Sequence, residues 1–244
     1  MHVNHTFALD AAVRAGGRCL DFGCGEGEVV KAGLEMHLDI WGAENFFCVG
    51  HSQRQRVVGS LASRIGEIGP NDEMPFPDRH FDFIFSNQVF EHVANLPRVL
   101  LELKRILKPN GTMLHMFPSR EVWREGHCWV PLAHRLTGRS AYNYLFAARA
   151  LGFGFQKEIG PPGQWAQYWA DFLKDKCFYR TKTEIIDVFN ECGFAVKHDE
   201  ISYILYRAEK TRKQLLPFIK VAPTVASAAF QRLGGMVLIC SQTC

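Results

Sequence analysis

The sequence lacks any apolar run of the roughly eighteen residues that a membrane-spanning helix needs. Its first residues carry no apolar core of the secretory kind, so a soluble, cytoplasmic protein is expected. No C-x-x-C pair occurs among Cys19, Cys24, Cys48, Cys128, Cys177, Cys192, Cys240 and Cys244. Thiols scattered through predicted strands and helices read as free cysteines of a reducing compartment. There is no internal repeat and no low-complexity tract. Charge of one sign is scarcely in excess: 28 Lys and Arg against 25 Asp and Glu leave a net +3, too little to hold nucleic acid by field alone.

What is present is an ordinary globular composition, 47% hydrophobic and 22% charged, over 244 residues. That length allows one large α/β domain, or one with a sizeable insertion. The chain is organised around Arg18-Cys19-Leu20-Asp21-Phe22-Gly23-Cys24-Gly25-Glu26-Gly27, a short apolar strand running into a glycine-rich turn with a helix, about 27–38, after it. Glycines let a turn take positive φ and let a ligand approach the backbone. The following helix offers free N–H groups and a positive dipole end. A nucleotide-like ligand across the end of the first strand is the reading. A dinucleotide fingerprint would need glycine at position 28, where this chain has Glu28.

A second signal lies at Phe81-Asp82-Phe83-Ile84-Phe85-Ser86-Asn87-Gln88-Val89-Phe90-Glu91-His92-Val93, an alternating strand and its exit. A helix over 96–107 follows, with Val99, Leu100, Leu103 and Leu107 on one face. Lys108-Pro109-Asn110-Gly111 stops it before a strand over 112–117. Asp21 two residues before G-x-G-x-G, then this "FD-x-I-x-S-N-x-V-x-EHV" series, then "R-x-LKP-x-G", resemble class I S-adenosylmethionine (SAM) methyltransferases of the small-molecule, type 11-like kind. The resemblance covers residues 17–118, with its motifs in the family's order.

It implies an α/β fold: a Rossmann-like, doubly wound seven-stranded sheet, mostly parallel with an antiparallel C-terminal strand. It implies SAM as cofactor, S-adenosylhomocysteine as product, and Asp21, Gly23, Cys24, Gly25 and Asn87 along the cofactor. Adenine would be read near Asn71 and Asp72. His92 stands where the family has the methyl end of the crevice and is the first candidate for a general base, its ordinary pKa suiting proton transfer near neutrality. Glu91 would orient it or touch substrate. His115, His127 and His134 are further candidates, but no spacing matches a ligand motif, so no metal is expected.

One departure stands out. The second strand is placed on the apolar run Phe46-Phe47-Cys48-Val49, followed by Gly50-His51-Ser52, where many family members have an acid for the ribose hydroxyls. Gly50 and His51 are assigned to the ribose instead, and a helix is expected over 53–65.

Residues 117–180 hold four of the five tryptophans, Trp123, Trp129, Trp165 and Trp169. The stretch 119–180 reads as an aromatic-rich helical insertion after strand five, within a single domain spanning 1–244, serving as a substrate lid over the strand ends. Beyond it come a helix capped by Thr181 or Thr183, a sixth strand over 195–206, a broken helical stretch over 208–233, and a last strand forming a hairpin with the sixth.

The expected activity is methyl transfer from SAM to a small-molecule, sugar or lipid-like acceptor. Three rival readings stand beside it. A nicotinamide oxidoreductase conflicts with Glu28 and with the lack of an acid after strand two. A SAM-binding scaffold without activity has that lack as its sole support. A nucleic-acid methyltransferase would carry an Asn/Asp-Pro-Pro-Tyr type motif where this chain has Ser86-Asn87-Gln88-Val89, and no basic stripe tracks a backbone.

Overall fold

The computed structural model describes residues 1–46, 59 and 61–243. Its centre is one seven-stranded sheet: β1 (Arg18–Phe22), β2 (Asp39–Glu44), β3 (Ile65–Glu67), β4 (Phe81–Asn87), β5 (Leu107–Phe117), β6 (Phe194–His198) and β7 (Met236–Gln242). The strand order is β3-β2-β1-β4-β5-β7-β6. The first five strands pair in parallel, and β7 runs antiparallel to both β5 and β6. The order reverses between β1 and β4. The crevice over their carboxyl ends is where a doubly wound sheet takes a ligand.

Strand alternation divides the core. Leu20, Phe22, Met113 and Leu238 face α3 (Leu96–Ile106) and α6 (Lys182–Glu191). Cys19, Phe83, Phe85, Leu114 and Val237 face the opposite side, with α1 (Val3–Ala15), α2 (Glu28–Glu35) and Tyr203. The β4 phenylalanines are nearly all buried, each contributing about 1.5–3 kcal/mol by leaving water. Helix ends follow their sequence signals. Asn95 accepts the Arg98 N–H to cap α3, and Thr181 with Glu184 makes a full capping box on α6.

Between β5 and α6 the chain leaves the sheet. It builds α4 (Gly138–Ala150) and α5 (Pro162–Lys176) around a separate apolar cluster that includes Trp165, Trp169 and Leu145. The two ends of this excursion meet: the Arg120 N–H donates to the Arg180 carbonyl at 2.7 Å.

Several placements differ from the sequence reading. The expected 53–65 helix lies mostly outside the described residues, and Ile65, its last position, opens β3. Strand five begins at Leu107, where the sequence reading ends the helix, and not at 112. The second strand is Asp39–Glu44, not the Phe46 run, because β1 pairs Leu20 with Trp41, Asp21 with Gly42 and Phe22 with Ala43. A small residue is required there: a Cβ on Gly42 would come 2.7 Å from the Cys24 sulfur. The sixth strand ends at His198, and Glu200–Thr211 is a helix, α7, which buries Tyr203 and Ala208. An apolar run of this kind suits strand or helix alike, and packing of Tyr203 and Tyr206 on Phe7 settles it. Strands β6 and β7 pair without forming a hairpin, since α7, α8 (Leu216–Val221) and α9 (Pro223–Leu233) lie between them.

Candidate active site

Three cavities meet at the carboxyl end of β4. One of about 420 Å³ lies between α1 and the glycine loop, lined by His5, Asp21, Gly23, Gly25, Glu28 and Asn87. A second, of about 560 Å³, continues from Gly23 and Gly25 past Glu44, Asp72 and Met74 to His92, Phe172 and Phe178. A third, of about 470 Å³, opens beyond Asn87 and Gln88 toward Tyr203, Arg207 and Phe230. Gln88 sits at the junction with φ +57, a left-handed backbone that is uncommon off glycine.

The glycine loop is held by β2. Gly23 and Cys24 donate N–H bonds to the Ala43 carbonyl at 2.9 and 3.2 Å. Gly25 donates to Glu44 Oε2 at 2.9 Å, and Asn45 donates to Oε1 of the same carboxylate at 2.9 Å. Gly23 needs its positive φ and its missing side chain, since a Cβ there would collide with Val89. Gly25 also has positive φ, but faces open space. Asp21 is 5% exposed, and its carboxyl is pushed up to about 8, by burial first and by the charge of Glu44 second.

Glu44 corrects the sequence reading. It closes strand two with an acid, where the sequence reading expects none. Gly50 and His51, assigned to the ribose, lie outside the described residues. One ground against a nicotinamide cofactor falls with this correction; Glu28 remains. Cys24 packs over Gly42, its thiol pushed well up by burial. Asp72 lines the cleft, whereas Asn71 turns back to hydrogen-bond Glu73 through N and Nδ2. Asn87 accepts from Asn4 Nδ2 at 2.8 Å, tying α1 to the end of β4.

His92 lines the larger cleft with both ring nitrogens engaged. Nδ1 lies 2.7 Å from the Lys176 carbonyl oxygen, and Nε2 lies 3.2 Å from Nε2 of His127. Burial lowers its pKa, partly opposed by the Lys176 bond. Glu91 does not orient it. That carboxyl is 1% exposed and has no hydrogen-bond partner among the described residues; burial pushes it up to about 8, so it sits neutral in the core. The orienting carboxylate is Glu125, which touches His127 Nδ1 at 2.5 Å and also accepts from the His127 and Cys128 backbone and from Tyr179 Oη. Burial would raise the Glu125 carboxyl, but these bonds hold it down at about 2. Burial pulls His127 down and the bond to Glu125 more than restores it, so its pKa is raised. His115 is buried against Ser86 at 2.8 Å, away from the clefts, and His134 bonds the Arg120 carbonyl. Glu125 carried no signal in the sequence beyond its place two residues before His127.

A glycine loop at the switch point, with an acid on β1 and another closing β2, defines a nucleoside-binding doubly wound domain. The comparisons with known proteins narrow this. Residues 4–199 match the model of the methyltransferase domain family. The chain belongs to that family, the class I SAM-dependent methyltransferases, whose cofactor is SAM. It is 31% identical over 128 residues to the demethylmenaquinone methyltransferase of Symbiobacterium thermophilum, covering 48% of this chain and 49% of that protein. It is 31% identical over 115 residues to the sterol 24-C-methyltransferase of Pneumocystis carinii, covering 44% of this chain and 29% of that protein. The chain thus spans about half, or less, of these two curated relatives. Among solved structures, a SAM-dependent methyltransferase from Mesorhizobium loti shares the fold with a TM-score of 0.55 at 18% identity, over 98% of this chain and 99% of the other.

Proposed function

We propose that this chain transfers a methyl group from SAM to a small-molecule acceptor that enters beneath the 119–180 insertion. The observation that carries the reading is the cleft that runs without a break from the glycine loop past Glu44 to His92 and the insertion's Phe172 and Phe178. The residues fit the cofactor. Glu44 has both oxygens fixed by backbone donors, and each keeps a lone pair for a ribose hydroxyl. Asp21 is a buried acid suited to the cationic end of the cofactor, and Asp72 stands at the adenine end.

When bound, SAM supplies the activated methyl group, and the protein supplies position and electrostatics. Fixing acceptor and methyl at near-attack distance is worth up to ~7–11 kcal/mol of barrier. The apolar side chains of Phe172, Phe178 and Val89 keep water from that contact. The names of the relatives, which act on a quinone precursor and a sterol, favour a largely apolar acceptor over nucleic acid. No helix among the described residues is long and apolar enough to cross a membrane. None of the six described cysteines is in a disulfide, which favours the cytoplasm. The inactive-scaffold reading had only the missing ribose acid behind it, and Glu44 removes that support.

Calorimetric titration with SAM and S-adenosylhomocysteine, with NADH as control, tests the cofactor. Binding of both adenosyl ligands and not NADH is expected. Binding of NADH, or of neither adenosyl ligand, would sink the reading.

A further inference from the structure

We propose that His92, His127 and Cys177 form a site for a divalent transition metal of the zinc class, at the acceptor end of the cleft. The site itself stands on side-chain geometry; only its place beside the acceptor rests on the methyl-transfer reading.

The tautomers point to it. His92 Nδ1 is 2.7 Å from the Lys176 carbonyl, which can only accept, so that nitrogen carries the proton and Nε2 is a bare lone pair. His127 Nδ1 faces the Glu125 carboxylate, which fixes the same tautomer there. The two Nε2 atoms then aim their lone pairs at each other across 3.2 Å. A metal ion or a single proton fits between them, and the metal ion is the proposal. Two imidazole nitrogens bound to tetrahedral zinc at ~2.0–2.1 Å stand about 3.3 Å apart, so the spacing needs no rearrangement.

A third ligand is at hand. One donor atom from each of His92, His127 and Cys177 lies within 4.8 Å of the others; the Cys177 sulfur sits 4.0 Å from His92 Nδ1, on the protonated side of the ring, and has to turn toward Nε2 to complete the set. Two imidazoles and a thiolate are a donor set suited to zinc. The outer support is built as well: a carboxylate behind a histidine fixes a metal ligand's ring and raises its basicity. Glu125 is in turn held by two backbone N–H groups and Tyr179 Oη. Three protein ligands leave a fourth position open. Of the three ligands His92 lines the cleft, so an open position on its side of the metal would face the acceptor.

The test is metal binding by the whole chain. Elemental analysis after expression with added zinc should find close to one zinc per chain. Titration of the metal-free protein with Co²⁺ should produce a thiolate-to-cobalt charge-transfer band, absent in Cys177→Ser. Glu125→Gln keeps all three ligands and should weaken Co²⁺ binding ~10–100-fold. SAM binding by calorimetry serves as the folding control for each variant, and circular dichroism replaces it if the wild type itself fails to bind SAM. That failure with the cobalt band intact would sink the cofactor reading and leave the metal site standing. Equal Co²⁺ binding by the wild type and by Cys177→Ser combined with His127→Gln, with no thiolate band in either, would overturn the proposal and leave a shared proton between the two imidazoles.

Discussion

The Gly25 N–H donates to Glu44 Oε2 at 2.9 Å, so the glycine loop and the end of β2 are fastened to each other by the carboxylate that faces the cleft. Loop position and the proposed ribose contact therefore depend on one side chain.

Glu44→Gln should expose that dependence. The amide loses the charge and one of the two acceptor oxygens. Hydrogen bonds to a charged group contribute about 1.5–3 kcal/mol, so SAM affinity should fall ~10–100-fold by calorimetry. An unchanged affinity would mean that the ribose is held elsewhere.

Cofactor binding should depend on pH through Asp21. Its carboxyl titrates near 8 in the free protein, against an ordinary 3.8. SAM is cationic at its sulfonium and ammonium and favours the ionised carboxylate, so binding below pH 8 must release the proton. Affinity should rise by up to about tenfold per pH unit from roughly pH 6 to 8 and then level off. Titrations in buffers of different ionisation heat count the proton directly, and a pH-independent affinity would contradict the assignment. Stability moves the other way. The fold keeps a proton that the unfolded chain has lost between pH 3.8 and 8, so stability falls as pH rises through that window. Asp21→Asn should remove both slopes.

The two loop glycines should separate stability from binding. Gly25 has φ +54 and open space around it, so Gly25→Ala should cost about 1 kcal/mol in strain. Its methyl group would stand in the ligand's space and should weaken SAM at least tenfold. Gly23→Ala adds a collision with Val89 and should cost a further ~1–3 kcal/mol. Thermal melts beside calorimetry resolve the two effects. Equal melting temperatures for the two variants would contradict the packing described.

Phe172→Ala tests the lid. Phe172 reaches the cleft from α5, beyond the glycine loop. Once an acceptor is found, KM for it should rise about tenfold while the SAM dissociation constant stays within a factor of two. A loss confined to SAM affinity would place the insertion over the cofactor instead.

Much of this was legible in the sequence. Asp21, Gly23 and Gly25 announced the loop because their local backbone demands are strong, and Phe81–Phe85 announced β4 by strict alternation. Glu44 was hidden because β2 is short and carries the small Gly42 and Ala43 where Cys24 and the loop cross it, while the greasier Phe46 run beside it made the better-looking strand. The pairing of His92 with His127 could not be read, because it joins a turn after β4 to a loop of the insertion, and only the fold brings the two rings together. Glu91 misled for a related reason: adjacency to His92 in sequence is not adjacency of side chains, and on the turn over Phe90–His92 consecutive residues point apart.

The hydrogen bond between Arg120 and Arg180 gives the insertion a narrow neck. A segment that leaves and re-enters at one point is a cassette. Lengthening or replacing it changes closure entropy only logarithmically, by about 0.6 kcal/mol per doubling. With the insertion as the proposed acceptor lid, the cofactor half can stay fixed while the acceptor half is exchanged, so selection, or an engineer, could change what is methylated without touching how the methyl group is held.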